Sequence, residues 1–343
     1  MTNTVLVTGG SGFLASHCIL SLLSHGHSVR ATVRSLQSAE RTRQMLASTN
    51  ASSAGSVEFV TADLMSDDGW QDAMSGCEHV LHVASPFPTA APKDADELIR
   101  PARDGTLRIL RAARDAQVRR VVVTSSFAAV GYGGKPASGA VYTESDWTHP
   151  SLPNPPYIRS KVIAERAAWD FVKAEGRGLE MAVVNPVGIF GPVLSAEVSS
   201  SIAIVKRLLE GAMPGLPDIS FGVVDVRDVA DLQIKAMLSP HAKGERFIGV
   251  AGGLVSLEDM AAILRRHLGT AAARVPTKRL PSWQIRLSAL FSPAARQLVP
   301  SLGKRRESSN QKARHLLAWS PRSNEETIVS TAETLLRLGL VSR

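Results

Sequence analysis

Residues 4–17 read TVLVTGGSGFLASH. Val5, Leu6, Val7 and Thr8 are apolar or β-branched, Gly-Gly-Ser-Gly follows, and an apolar helical pattern begins at Phe13. A turn alone does not need Gly9, Gly10 and Gly12 so close together. Such density marks a backbone that another group approaches closely. Gly10-Ser11-Gly12-Phe13-Leu14-Ala15 fits G-x-G-x-x-G/A at the end of a strand and the mouth of a helix, the context that separates a phosphate-binding turn from a chance match. Gly9 and Gly10 permit the tight turn. Gly12 lets a pyrophosphate reach the unpaired N–H groups of the helix start, and Ala15 lets that helix pack on its strand.

Working outward, strands are expected at 4–9, 28–34, 57–63, 79–84, 119–126 and 179–186, with helices near 12–25, 38–48, 67–75, 94–116 and 157–175. Strands alternating with helices predict an α/β fold: a Rossmann-type, doubly wound parallel sheet covered on both faces. After Pro186 the rhythm weakens. A helix is expected over 202–211, a returning strand over 245–252, and a helix over 256–269 that Ser256 caps. The expected organisation is a dinucleotide-binding domain over 1–186, with 221–252 returning to it. A smaller, mostly helical substrate region comprises 187–220 and 253–343. The stretch 274–307, rich in Pro, Arg and Ser, is the least regular.

Composition narrows the function classes. The chain has 343 residues, 44% hydrophobic and 20% charged, an ordinary globular balance. No apolar run approaches the roughly 18 residues that span a bilayer, and the first residues lack the pattern of a signal peptide. Cys18 and Cys77 make neither a disulfide framework nor a zinc site, so no metal and a reducing, cytoplasmic location are expected. The net charge is +8, but the basic residues are scattered without interleaved aromatics. A solvated basic surface, or attraction for a phosphorylated small molecule, is therefore expected, with neither nucleic acid nor membrane as partner.

The second strand ends T-V-R-S, without the acidic residue that would hold the ribose 2′-hydroxyl of NAD. Arg34 stands there instead and suits a 2′-phosphate. The expected cofactor is therefore NADPH/NADP⁺ rather than NADH. Asp63 and Leu64 follow the third strand, where a carboxylate accepts from the adenine amino group and an apolar side chain covers the ring. His82-Val83-Ala84-Ser85 ends the fourth strand, and small residues such as Ala84 leave room for a ligand lying across it. His82 itself reads as a core residue.

Tyr157-Ile158-Arg159-Ser160-Lys161 opens the helix 157–175. The i, i+4 spacing puts the phenol and the ammonium on one helical face. A neighbouring ammonium, together with an oxidised nicotinamide, lowers the tyrosine pKa toward the working range of a proton donor. A third group must hold the substrate oxygen; Ser126, with Ser125 in reserve, lies at the end of the fifth strand.

Together these motifs resemble the extended short-chain dehydrogenase/reductases, the NAD-dependent epimerase/dehydratase superfamily. VLVTGGSGFLASH, ATVRS, FVTADL, VLHVASPF, VVVTSSFAAV, YIRSKVIAERAAW and VNPVGIFGP occur in family order, most like the dihydroflavonol reductase and aldehyde reductase branch. The resemblance implies a Ser126–Tyr157–Lys161 triad. It also implies cofactor contacts from Gly9, Gly10, Ser11, Gly12, Phe13, Leu14, Arg34, Asp63, Leu64, Val187 and Ser201, and a substrate pocket walled by Phe87 and Phe127. Gly131 stands where plant flavonoid reductases carry an Asn, which argues against a flavonoid substrate. The expected reaction is NADPH-dependent reduction of an aldehyde or ketone by a monomer or homodimer. The rivals are a nucleotide-sugar epimerase/dehydratase, a 3β-hydroxysteroid dehydrogenase-like enzyme and a non-catalytic NADP(H) sensor.

Overall fold

The computed structural model describes residues 4–49, 57–85, 94–134 and 140–342. Its first half runs β1 (Thr4–Val7), α1 (Phe13–Ser24), β2 (Ser28–Val33), α2 (Leu36–Ala47), β3 (Glu58–Thr61), α3 (Trp70–Met74), β4 (Cys77–His82), α4 (Asp96–Asp115), β5 (Arg120–Thr124), α5 (Pro156–Glu175) and β6 (Glu180–Pro186). The second half adds β7 (Gly188–Phe190), α6 (Ser200–Leu209), β8 (Leu216–Pro217), β9 (Ser220–Phe221), β10 (Val223–Asp225), α7 (Val226–Leu238), β11 (Arg246–Gly249) and β12 (Val255–Ser256). It closes with α8 (Leu257–Leu268), β13 (Arg279–Leu280), α9 (Ser282–Ser288), α10 (Pro293–Leu298), α11 (Gln311–Leu317) and α12 (Asn324–Arg337).

Seven strands form one parallel sheet in the order β11-β6-β5-β4-β1-β2-β3. The strand order reverses between β1 and β4, and such a reversal opens a crevice at the C-terminal strand ends. Alternate strand residues serve opposite faces. Val5 and Val7 join one cluster with Ile19 and Leu22 of α1 and Val229 of α7. Leu6 joins another with Ile109 of α4, Ala168 and Phe171 of α5, and Trp70. All three β1 residues are fully buried, which explains their unbroken apolar character. A further cluster gathers α6, α8 and α12 around Ile202, Leu264 and Ile328.

Several elements depart from expectation for identifiable reasons. The fifth strand stops at Thr124 because Ser126 caps a 3₁₀ turn at Phe127–Ala129, accepting from the Ala128 N–H at 3.1 Å. Helix α2 starts at Leu36 because Ser35 caps it through the Ser38 N–H. The returning strand is confined to Arg246–Gly249. The stretch 274–307 contains β13, α9 and α10, and so holds regular structure. Ser256 and Asp259 form a reciprocal capping box at the start of α8. Among the described residues, no helix is long and apolar enough to cross a membrane.

Candidate active site

A cavity of about 1070 Å³ lies across the C-terminal ends of the sheet strands. The glycine turn forms one wall. The Gly9 N–H donates to Thr32 Oγ1 at 3.0 Å, and the Gly10 N–H to the Thr32 carbonyl at 2.7 Å, tying the turn to β2. Gly9 has φ +69°, and a Cβ there would sit 3.0 Å from that of Ala84, so the turn packs against the end of β4. Ser11, Gly12, Phe13 and Leu14 border the cavity with Gly9. Gly10 lies one residue behind that wall. Its backbone is buried, and a Cβ there would lie 2.8 Å from Ala31 Cβ, so this glycine serves helix–strand packing. Helix α1 has no side-chain N-cap and no acidic residue in its first turn. A bare N-terminus facing a cavity behind side-chain-free residues fits a diphosphate.

The other expected cofactor residues reach the same space. Arg34, exposed at the end of β2, borders the cavity, as do Asp63, Leu64, Ala84, Val187 and Ser201. Asp63 accepts the Met65 N–H at 2.9 Å, an Asx turn that fixes its carboxylate. Ser201 Oγ donates to the Ile189 carbonyl. Arg34 has no ion-pair partner among the described residues, so its guanidinium is available to an incoming phosphate. These residues fit NADPH. His82 stays in the core: burial and the Lys161 charge push its pKa down to about 3. Thr8 Oγ1 accepts the Val83 and Ala84 N–H groups, leaving its own proton for His82 Nδ1 at 2.9 Å and placing the imidazole proton on Nε2.

Tyr157, Lys161 and Ser126 converge on the cavity wall beside the glycine turn. Lys161 Nζ donates to Ser85 Oγ at 2.9 Å and lies 5.9 Å from the Tyr157 ring centroid. Burial lowers its pKa to about 8, against the opposing pull of Glu165. Burial raises the Tyr157 pKa, and the Ser126 hydroxyl, within hydrogen-bonding reach, draws it partly back. The expected lowering of the tyrosine by its neighbouring ammonium is thus absent from the protein alone, where desolvation wins. Ser126 accepts from Ala128, which leaves its hydroxyl proton for the Tyr157 oxygen on the cavity wall. Ser125 is committed elsewhere: its hydroxyl donates to Glu165 Oε2 at 2.5 Å. Behind it, fully buried Glu165 pairs with Arg246 Nε at 2.6 Å and accepts from Asn185 Nδ2 at 2.7 Å.

The substrate side is partly aromatic. Phe127 borders the cavity while most of its ring packs edge-on to Tyr132 and Tyr142. A Cβ at Gly131 would lie 2.2 Å from that ring, so the phenyl fills the space a side chain at 131 would need. Phe87 lies outside the described residues. Sequence reasoning missed Tyr132, Phe221 and Arg306, all of which border the cavity. Their placement rests on contacts distant in sequence. The main chain of Tyr142 bridges residues 307–309, for example, and carries Arg306 to Tyr132, with its guanidinium carbon 4.3 Å from the ring centroid.

A seven-stranded parallel sheet in this order, flanked by helices, is the Rossmann-type architecture of the short-chain dehydrogenase/reductases. The NAD dependent epimerase/dehydratase family model matches residues 5–249, and the chain belongs to that family, within its extended reductase branch. It is 36% identical over 247 residues to the cinnamoyl-CoA reductase CAD2 of Medicago truncatula, covering 71% of this chain and 74% of that protein. It is 31% identical over 319 residues to a putative NADPH-dependent methylglyoxal reductase, GRP2, of Candida albicans, covering 87% and 93%. The crystal structure of yeast methylglyoxal/isovaleraldehyde reductase Gre2 complexed with NADPH superposes with a TM-score of 0.80 at 26% identity, covering 98% of this chain and 99% of that one.

Proposed function

We propose that this oxidoreductase uses NADPH to reduce an aldehyde or ketone to an alcohol, with Tyr157 as proton donor. The observation that carries the reading is the convergence of Tyr157, Lys161 and Ser126 on a cavity whose other wall is the glycine turn. NADPH, when bound, supplies the hydride that adds to the carbonyl carbon. Gly9 and Ser11 through Leu14 hold its diphosphate, Arg34 its 2′-phosphate, and Asp63 and Leu64 its adenine. The NADPH named for the yeast and Candida relatives supports this choice.

The chain's own groups handle the oxygen. The Ser126 hydroxyl hydrogen-bonds to it and orients it. The raised pKa keeps the Tyr157 phenol protonated at neutral pH, so it enters the reduction as the acid. As the proton leaves, the Lys161 ammonium, held by Ser85, offsets the phenolate charge. Phe127, Tyr132 and Phe221 give the apolar walls that seat a small carbonyl compound.

An epimerase on the same scaffold would cycle a bound cofactor without net consumption. Arg34 in place of an acidic residue favours exchangeable NADPH over resident NAD. Absorbance at 340 nm, followed with aldehydes, ketones and nucleotide sugars, tests the choice. Stoichiometric NADPH loss with carbonyls is expected. Conversion of a nucleotide sugar at constant absorbance would overturn it.

A further inference from the structure

We propose that Arg306 selects carbonyl substrates bearing an anionic group, a carboxylate or a phosphate ester, remote from the carbonyl. The inference deepens the reductase reading and rests on it. Among the described residues, three cationic side chains border the cavity: Arg34, Lys161 and Arg306. Arg34 sits at the end of β2, on the adenosine side, and Lys161 is bonded to Ser85 beside the proton donor. Arg306 lies against Tyr132, its guanidinium carbon 4.3 Å from the ring centroid.

Among the described residues, Tyr132 is the partner of Arg306, and no acid pairs with its guanidinium. Arg305 pairs with Asp218 at 2.7 Å, and Arg279 with Glu258 at 2.6 Å. Arg306 is half-buried and makes no ion pair or hydrogen bond through its guanidinium among the described residues. Stacking on Tyr132 occupies one face of the guanidinium and leaves its in-plane N–H groups open. Those donors match a carboxylate or phosphate in paired geometry. The acids on the cavity wall are Asp63 and Glu197. Asp63 is turned to Met65, and Glu197 borders a smaller hollow with Ser11 and Phe13, on the glycine-turn side.

The backbone around Arg306 is fixed. The Tyr142 N–H donates to the Glu307 carbonyl at 2.8 Å, and the Ser309 N–H returns to the Tyr142 carbonyl at 2.9 Å. Asn310 Nδ2 then donates to the Val250 carbonyl at 2.8 Å. The guanidinium is therefore carried by an anchored segment. Charge in the wider chain points the same way. Residues 274–306 contain eight Lys and Arg and no Asp or Glu, which accounts for the whole net charge of +8. The rest of the chain balances. With Arg279 and Arg305 paired, the remaining charge of this stretch still favours the approach of anions.

The test compares ω-oxo acids and ω-oxoalkyl phosphates with their methyl esters and free alcohols. The wild-type kcat/KM is expected to be at least tenfold higher for the charged member of one series, and the preferred series identifies the anion. Arg306→Gln should collapse that ratio at least tenfold, and Arg306→Lys should restore part of it. Calorimetry of glutarate and of an alkyl phosphate on the NADP⁺ complex should show binding that the Gln variant loses. Uncharged substrates favoured by the wild type, or a ratio untouched in Arg306→Gln, would overturn the proposal. Arg306-dependent anion binding without turnover of any carbonyl would instead sustain the anion site and overturn the reductase reading.

Discussion

In the proposed function, cofactor choice turns on Arg34. Its guanidinium sits at the cavity edge with no carboxylate to neutralise it among the described residues, where NAD-binding members of the fold place an acid. A 2′-phosphate supplies the missing anion. Arg34→Glu should weaken NADPH binding at least tenfold and move the preference toward NADH, measured as dissociation constants by fluorescence titration. Unchanged NADPH affinity would remove Arg34 from the site. The motifs read from sequence at this scale reflect local chemistry: a strand end, a turn, an i, i+4 pair. That is why Ser126, Tyr157 and Lys161 are brought together as expected. At Gly10 the close packing on Ala31 is itself reason for a glycine, a need that looks in sequence like that of a ligand.

At the scale of elements, the catalytic helix is tied to the sheet by a buried charge. Glu165, one turn beyond Lys161 on α5, meets Arg246 on β11 and Ser125 at the end of β5. Removing one member of a buried pair strands the other, at a cost of roughly 3–5 kcal/mol. Glu165→Gln should therefore lower the thermal midpoint. It also removes the carboxylate that favours the charged form of Lys161, whose pKa is about 8. Wild-type kcat/KM for NADPH should fall as pH rises through this value, because the ammonium is lost, and Glu165→Gln should move the fall to lower pH. A pH profile identical in both proteins would separate Glu165 from Lys161. YIRSKVIAE gives this helix from sequence, but its partner on β11 follows only from the strand order.

For the whole molecule, buried histidines, His17, His79 and His82, make stability sensitive to acid. His17 and His82 have pKa values pushed down to about 4 and about 3 by burial. Between those values and 6.5 the unfolded chain binds protons that the native state does not, so stability falls as pH drops through that window. At roughly 1.4 kcal/mol per unit, each histidine removes on the order of 2–3 kcal/mol by pH 4.5. Urea unfolding at pH 7 and 4.5 should show the loss, and His17→Gln should reduce it. An equal loss in both proteins would assign acid sensitivity to other groups. The sheet, its helices and the glycine turn follow from local periodicity and were legible in the sequence. Arg306 and Tyr132 were not, because residues 174 positions apart meet only through the fold.

The central claim is that Tyr157 delivers the proton in an NADPH-driven reduction. NADPH consumption at 340 nm should be followed for the wild type and Tyr157→Phe, both saturated with cofactor and carbonyl, alongside NADPH affinity. The account predicts that the variant binds NADPH within about threefold of wild type and loses turnover by at least ~10²-fold, the scale of general acid catalysis. Retained turnover in Tyr157→Phe would contradict it.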